Sequence, residues 1–421
     1  MASKSKSIAE LLNGDVTVTA TDIADGSVIT AKIADGNIST GKIADNAVTA
    51  DKIVDNVALS GTTTSINGLT PQASNMQAFN RIINGAMTID QRNAGAAVTV
   101  TGTTKFAADR FGLVRDTGAA TCTGQQSSTV PNGEFTKSLL WTTTTGATAG
   151  VDDDCIIRQY VEGFNFANLG FGTATAQNFT LSFWVRSSVT GTYGVSFANS
   201  AADRCYMATY SITVANTWEF KTITVVGDTT GTWVPDAGLG LRIFWDMGSG
   251  TSRSIAASSA WGSSYGTGLT GGVKIAANTG ATFYITGVQL EAGSTASSFA
   301  HENYSDTLQK CLRFYEQIAK DGNNETLIGN GFGYANGTLV FQYYKYNVQK
   351  RVIPTLSYTG AAVSNIQCLN GSGFWNQATN LQFTPNRIGT RLLITITGVS
   401  TNNACETRIE SSLVVHIDAE L

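Results

Sequence analysis

Residues 179–188, FTLSFWVRSS, and 192–199, TYGVSFAN, decide the fold. Both alternate or run apolar over short spans, as strands do. WEFKTITVVGD (218–228), LGLRIFWDM (239–247) and ATFYITGVQLEAG (281–293) repeat that character, with Gly, Asn, Ser and Asp clustered between the runs. No convincing amphipathic helix separates them. Strand following strand predicts an antiparallel two-sheet sandwich or jelly roll over 79–300, rather than an α/β fold.

Downstream, SDTLQKCLRFYEQIA (305–319) changes period. Leu308, Cys311, Leu312, Tyr315 and Ile318 fall on one helical face, Ser305 or Asp306 can cap the start, and Asp321-Gly322 can end it. A linking helix is therefore expected at 301–320. A second β-rich domain follows at 321–421, with RLLITITGV (391–399) and SSLVVHIDAEL (411–421) as its plainest strands. In the last strand Leu413, Val415, Ile417, Ala419 and Leu421 share one face, and a paired C-terminus is expected.

Upstream lies an internal repeat. Stacked by tens, residues 18–57 read VTATDIADGS, VITAKIADGN, ISTGKIADNA and VTADKIVDNV. Val18, Val28, Ile38 and Val48 recur at one position, and Ile23, Ile33, Ile43 and Ile53 recur five residues later. Asp-Gly or Asp-Asn stands near the end of all four units as a turn. A spacing of five gathers these residues on neither a helix nor a flat strand. So few apolar residues cannot form a core within one chain. Several chains wound side by side can, each adding a rung per repeat, and a threefold axis is the simplest case. This predicts a trimeric shaft at 16–60, preceded by a short helical segment at 1–15 whose stripe is Ile8, Leu11 and Leu12, and followed by a polar linker or collar at 61–78.

Composition narrows the function. Charged residues are 14% of the 421, Lys+Arg number 27 and Asp+Glu 31, and the net charge is −4. No large phosphate-neutralising surface is expected, and so no nucleic-acid partner. No apolar run reaches transmembrane length, and MASKSKSIAELLNGD lacks a signal-peptide core. The six Cys, at 122, 155, 205, 311, 368 and 405, form no CxxC or Cys/His cluster and read as reduced, buried thiols.

Catalytic patterns are scarce. Glycan cleavage needs two carboxylates across a cleft, for which Asp152, Asp153, Asp154, Glu162 and Glu291 are the candidates. The Asp152–Asp154 run also has the oxygen chemistry of a calcium-like site. Serine chemistry would need His301, in an interdomain turn, or His416, on a polar strand face. Of the seven Trp, Trp184, Trp218 and Trp245 sit inside strand-like runs and are expected in the core, whereas Trp233, Trp261 and Trp375 lie in Gly-rich loops and suit recognition. Phe341, Tyr343, Tyr344 and Tyr346 read as core, interchain seam or binding strip, and the sequence leaves the three open.

Three segments carry a resemblance that covers nearly the whole chain. The ITAKIADG-type repeats are similar to those in phage fibre shafts. FNRIINGAMTIDQRN (79–93) with FAADRFGLVRD (106–116) looks like the entry to a carbohydrate-binding-module-like jelly roll, and TFYITGVQLEAGSTASSFAHENYSDTLQKCLRFYEQI (282–318) resembles its end and the helix to a tip domain. The chain thus resembles bacteriophage tail-fibre proteins. The resemblance implies a mainly β, elongated homotrimeric fibre in the virion tail, made in the host cytoplasm and exported by no signal of its own. Ile8, Leu11 and Leu12 would dock to tail adaptor or nozzle proteins. The C-terminal domains would face a host-surface glycan or outer-membrane receptor, with Tyr334, Trp375, Trp233 and Trp261 as contacts. Such an adhesin needs no catalytic residue, cofactor or metal. The rival expectation is a tailspike-type enzyme that degrades surface polysaccharide.

Overall fold

The computed structural model describes residues 80–421, apart from 117, 119, 320–325, 335, 336, 361, 370–372, 374, 397, 400–402, 411 and 412. The attachment segment with Ile8, Leu11 and Leu12, the eight shaft rungs and the collar lie outside the described residues.

The strand-like runs form two six-stranded antiparallel sheets. In one, Val98–Val100, Thr121–Ser127, Ser138–Thr145, Thr282–Ala292, Phe179–Ser187 and Glu219–Val225 lie side by side in that order. The other runs Lys105–Ala108, Phe111–Arg115, Cys155–Glu162, Leu239–Asp246, Gly191–Ala198 and Cys205–Ile212. The chain crosses repeatedly between the two sheets, giving the expected jelly-roll-like sandwich. Period-two alternation turns Phe179, Leu181, Phe183 and Val185 inward, all fully buried. One cluster joins both sheets, with Trp141, Trp245, Phe111, Tyr193, Phe197 and Phe283 among its largest members. Each buried ring contributes roughly 1.5–3 kcal/mol by area. A bulge between Thr286 and Gln289 bends the central strand, and Gly287 takes it at φ +61°, where a Cβ would lie 2.8 Å from the Phe135 ring.

The same alternation corrects two core assignments. Trp245 is fully buried, but Trp184 and Trp218 are only half-buried. Trp184 follows inward Phe183, so it points to the outer face and meets Phe220 at 5.3 Å, while Trp218 meets Tyr284 at 6.0 Å. A strand carrying apolar residues on both faces can bury only one of them between the sheets.

The helix is also shorter than its stripe. It spans Tyr304–Leu312, with Asn303 rather than Ser305 or Asp306 at the N-cap position and no side-chain capping bond. Tyr315–Ala319 is instead a strand, paired antiparallel with Val414–Asp418. Tyr315 and Ile318 satisfy helical spacing, but pairing to the C-terminal strand supplies a ladder and buries Phe314 and Tyr315 together. Tertiary pairing overrides the local period. The expected stop at Asp321-Gly322 lies outside the described residues.

Val414–Asp418 is the centre of a three-stranded sheet, between Tyr315–Ala319 and Thr355–Thr359, with Leu413, Val415, Ile417 and Ala419 buried as read. Beside it, Thr326–Tyr334, Leu339–Lys345, Gly389–Ile396, Trp375–Pro385, Ile366–Leu369 and Ala404–Ile409 close into a six-stranded antiparallel barrel. Its interior is mainly aliphatic, with Val340, Ile366, Leu392, Ile394, Ile396 and Ile409, and holds one buried polar pair in which the Thr407 hydroxyl donates to Gln342. All six Cys are buried free thiols.

Arginines join the three-stranded sheet and the C-terminal residues to the sandwich. Buried Arg110 covers the Phe314 ring at 3.6 Å and pairs with Glu420. Arg92 lies 3.5 Å over the Tyr315 ring and pairs with Asp109 and Glu420 at 3.4 and 3.3 Å. Arg351 donates to the carbonyls of Ala419, Glu420 and the sandwich residue Ala237 at 2.8, 2.7 and 2.9 Å.

Candidate functional site

The loop after Glu219–Val225 folds onto the turn at 163–172. Two glycines permit the approach: Gly172 at φ +82° would put a Cβ 2.7 Å from the Gly231 carbonyl oxygen, and Gly231 at φ +80° would put one 2.6 Å from Arg204 Cγ. This closure brings together Trp233 and Trp261, which lie in separate loops. Their rings meet at 5.2 Å and 87°, edge to face. Phe171 supports both, at 4.8 and 5.7 Å, Phe166 lies 5.5 Å from Trp233, and Tyr206 lies 5.6 Å from Trp261. The indole N–H groups donate to the Thr230 and Val226 carbonyls at 3.2 and 2.7 Å, so both half-buried rings are fixed and offer carbon surface.

A rigid polar group adjoins them. Arg204 grips Asp228 with two hydrogen bonds, of 2.7 and 2.8 Å, and also reaches the Trp261 carbonyl at 3.4 Å. Asn199 orders this turn by donating to Asp203 and the Thr232 carbonyl, at 2.6 and 3.1 Å, and by accepting from the Asp203 and Arg204 amides. Burial acts most strongly and would raise the Asp228 carboxyl, but the hydrogen bond and charge of Arg204 together with hydrogen bonds from the Thr230 amide and hydroxyl outweigh it and hold the group below its ordinary value. A fixed aromatic corner beside the part-exposed Arg204 guanidinium, held in place by buried Asp228, offers stacking to an apolar ring face and hydrogen-bond donors to neighbouring hydroxyls.

The other two contact residues lie elsewhere. Tyr334, 51% exposed, ends its barrel strand and packs its ring 5.2 Å from Phe341. Trp375 is half-buried under the Arg408 guanidinium at 3.7 Å. The four-residue cluster divides by facing: Tyr346 is buried, Phe341 and Tyr344 are half-buried, and Tyr343 is exposed.

The carboxylate candidates are individually engaged. Glu162 is held by Arg313 at 2.9 and 2.5 Å, and Glu291 accepts from the Ser297 amide and hydroxyl, both at 2.8 Å. Asp152 accepts from Ser252, Asp153 from the Gly150 amide, and Asp154 from Thr267. Among the described residues, no three His, Cys, Asp or Glu side chains are grouped to hold a cation. His301 packs against Phe135 and Phe299 at 5.4 and 4.9 Å, and His416 bridges Tyr315 and Thr359 hydroxyls, each at 2.6 Å.

Phe166, Phe171, Arg204 and Asp228 escaped the sequence reading. The available signal was weak: the turn glycines of NLGFG (168–172) and the Gly227-Asp228 dipeptide mark loops that need a close partner.

No protein-family model matches the chain, and no curated protein matches it in sequence. Solved structures do show likeness. The enzymatically active domain of bacteriophage CBA120 tailspike protein 4 is 16% identical with a TM-score of 0.27, over 51% of this chain and 21% of that one. A CBM4 structure is 13% identical with a TM-score of 0.25, over 50% and 99% of the two chains. The family 11 carbohydrate-binding module of Clostridium thermocellum, in complex with a beta-1,3-1,4-mixed-linked tetrasaccharide, is 12% identical with a TM-score of 0.24, over 50% and 100%. The matched part thus spans about a fifth of the tailspike chain.

Proposed function

We propose that the chain is a structural adhesin, a tail fibre that holds a virion to its host through surface glycans. The observation that carries this reading is the fixed corner of Trp233 and Trp261 beside the Arg204–Asp228 pair. Its carbon surface suits the C–H face of a sugar, and the Arg204 guanidinium, oriented by buried Asp228, suits a sugar hydroxyl. The eight apolar rungs at a spacing of five support a homotrimer. Three tethered sites then bind as one: a second contact sees a millimolar effective concentration, and avidity exceeds single-site affinity by about 10²–10⁴. Ile8, Leu11 and Leu12 would dock the fibre to the tail adaptor or nozzle, placing a protein made in the host cytoplasm in the virion. Tyr334 and Trp375 remain proposed receptor contacts on the barrel.

Glycan arrays probed with the full chain test the site. Trp233→Ala and Trp261→Ala should each weaken binding about tenfold or more in protein that stays folded, with a lowered melting temperature because both rings pack on the core, and unchanged binding by both overturns it. Native mass spectrometry should read a trimer; a stable folded monomer would sink the shaft argument. Engagement of Glu162 by Arg313 and of Glu291 by Ser297 favours adhesion without cleavage. Reducing ends released from host glycans and lost in Glu162→Gln would make the chain a tailspike-type enzyme instead.

A further inference from the structure

The barrel wall carries an aromatic face that its own fold does not cover. Thr326–Tyr334 turns Gly331 and Gly333 inward and Asn330, Phe332 and Tyr334 outward. On the next strand Val340 and Gln342 are buried, leaving Phe341 and Tyr343 outside. Register sets Phe332 opposite Phe341, and Phe341 opposite Leu393, in one row across three strands. Phe332 and Tyr343 are 47% and 53% exposed. A contiguous apolar patch of this kind marks an interaction surface, whereas single exposed apolar residues do not.

The edges of the patch are charged with opposite sign. Glu406 lies opposite Asn330 on one flanking strand, and Arg391 lies opposite Tyr343 on the other. Three strand spacings, about 14 Å, separate them. Arg391 leans over the Phe341 ring at 5.3 Å, which keeps its charge at the margin. Arg408, two residues beyond Glu406 on the same outer face, is turned to Glu410 and the Trp375 ring, which leaves Glu406 opposite Arg391 across the patch; apolar rings flanked by one charge of each sign match a rotated copy placed head to tail. The outer wall of a closed barrel is also convex, whereas small-ligand sites are concave.

We infer that this wall packs against another copy of the chain in a closed ring, the Arg391 edge of each protomer meeting the Glu406 edge of the next; Tyr334, whose ring touches Phe341, would then be covered, and Trp375 alone of the two proposed barrel contacts would stay open to a receptor. The inference rests on the proposed trimer, whose shaft would hold the barrels at high effective concentration.

A photo-crosslinking phenylalanine at position 343 of the full chain tests it. Illumination should yield covalent dimers and trimers. Arg391→Glu and Glu406→Arg should each lower that yield severalfold, and the double exchange should restore it. A trimer by native mass spectrometry without interchain cross-links, or with cross-links only within a chain, overturns this interface and leaves the trimer standing. A monomer removes both. Loss of glycan binding in Tyr343→Ala, with the trimer intact and no cross-link in the position-343 protein, would assign the wall to the ligand instead.

Discussion

The sandwich and the barrel treat aromatic residues in opposite ways. Between the two sheets lie Trp141, Trp245, Tyr193, Phe183, Phe197 and Phe283, all fully buried. The fully buried side chains of the described barrel strands are aliphatic, Cys, Thr or Gln, Phe383 is half-buried against that core, and the rings of Phe332, Tyr334 and Tyr343 stand outside. Width explains the contrast. Two packed sheets leave a layer about 10 Å thick that accepts rings. Eight strands enclose an interior just wide enough for side chains, and six enclose less. Composition therefore does not say where an aromatic residue goes; the cross-section of the element around it does.

The contrast can be broken first at the buried charges. Lys350 is fully enclosed, bonded to Glu316 at 2.6 Å, and Glu316 also accepts from Tyr344 and Asn347. Burial lowers the Lys350 amine and Glu316 counteracts it. Lys350→Met leaves a buried carboxylate without its cation and should cost about 3–5 kcal/mol. Hydrogen exchange should rise in Leu339–Lys345 and Gly389–Ile396 while Phe179–Ser187 stays protected. Equal loss in both regions would show one cooperative unit.

Rings test the same contrast. Phe283→Ala opens a cavity between the sheets and should cost about 3–4 kcal/mol. Tyr358→Ala, at an exposed ring beside the barrel, should cost below about 0.5 kcal/mol. Denaturant midpoints separate them, and similar losses would refute the division into inward and outward rings.

The smallest effect is on pH dependence. Burial, then the nearby Arg92, holds His416 below its ordinary value. The unfolded chain takes up this proton near pH 6.5, before the folded one does. The contribution is present above that pH and is lost as pH falls through the folded value. His416→Gln should flatten this slope in melting temperature between about pH 7 and 5; an unchanged slope assigns it to other groups.

Much of the fold was legible. Alternation in FTLSFWVRSS and ATFYITGVQLEAG located central strands because a period of two has few other structural meanings. Facing was less legible: Trp184 differs from Phe183 only by one position, and nothing local says which face is covered. Helical spacing over 305–319 failed at Tyr315 because the partner strand, Val414–Asp418, lies a hundred residues away in the chain. The candidate site was half legible. Trp233 and Trp261 stood out as loop aromatics, whereas Arg204 and Asp228 looked like any surface pair.

By itself the sequence determined a β-rich chain with a repeat that calls for partners, because periodicity and turn residues act locally. Only tertiary structure decided that Trp233 and Trp261 share a corner, that the second domain closes into a barrel, and that Phe332, Tyr334 and Tyr343 face outward from it. Those outcomes depend on which strands become neighbours and how much room they enclose. Both are set by packing across long sequence distances.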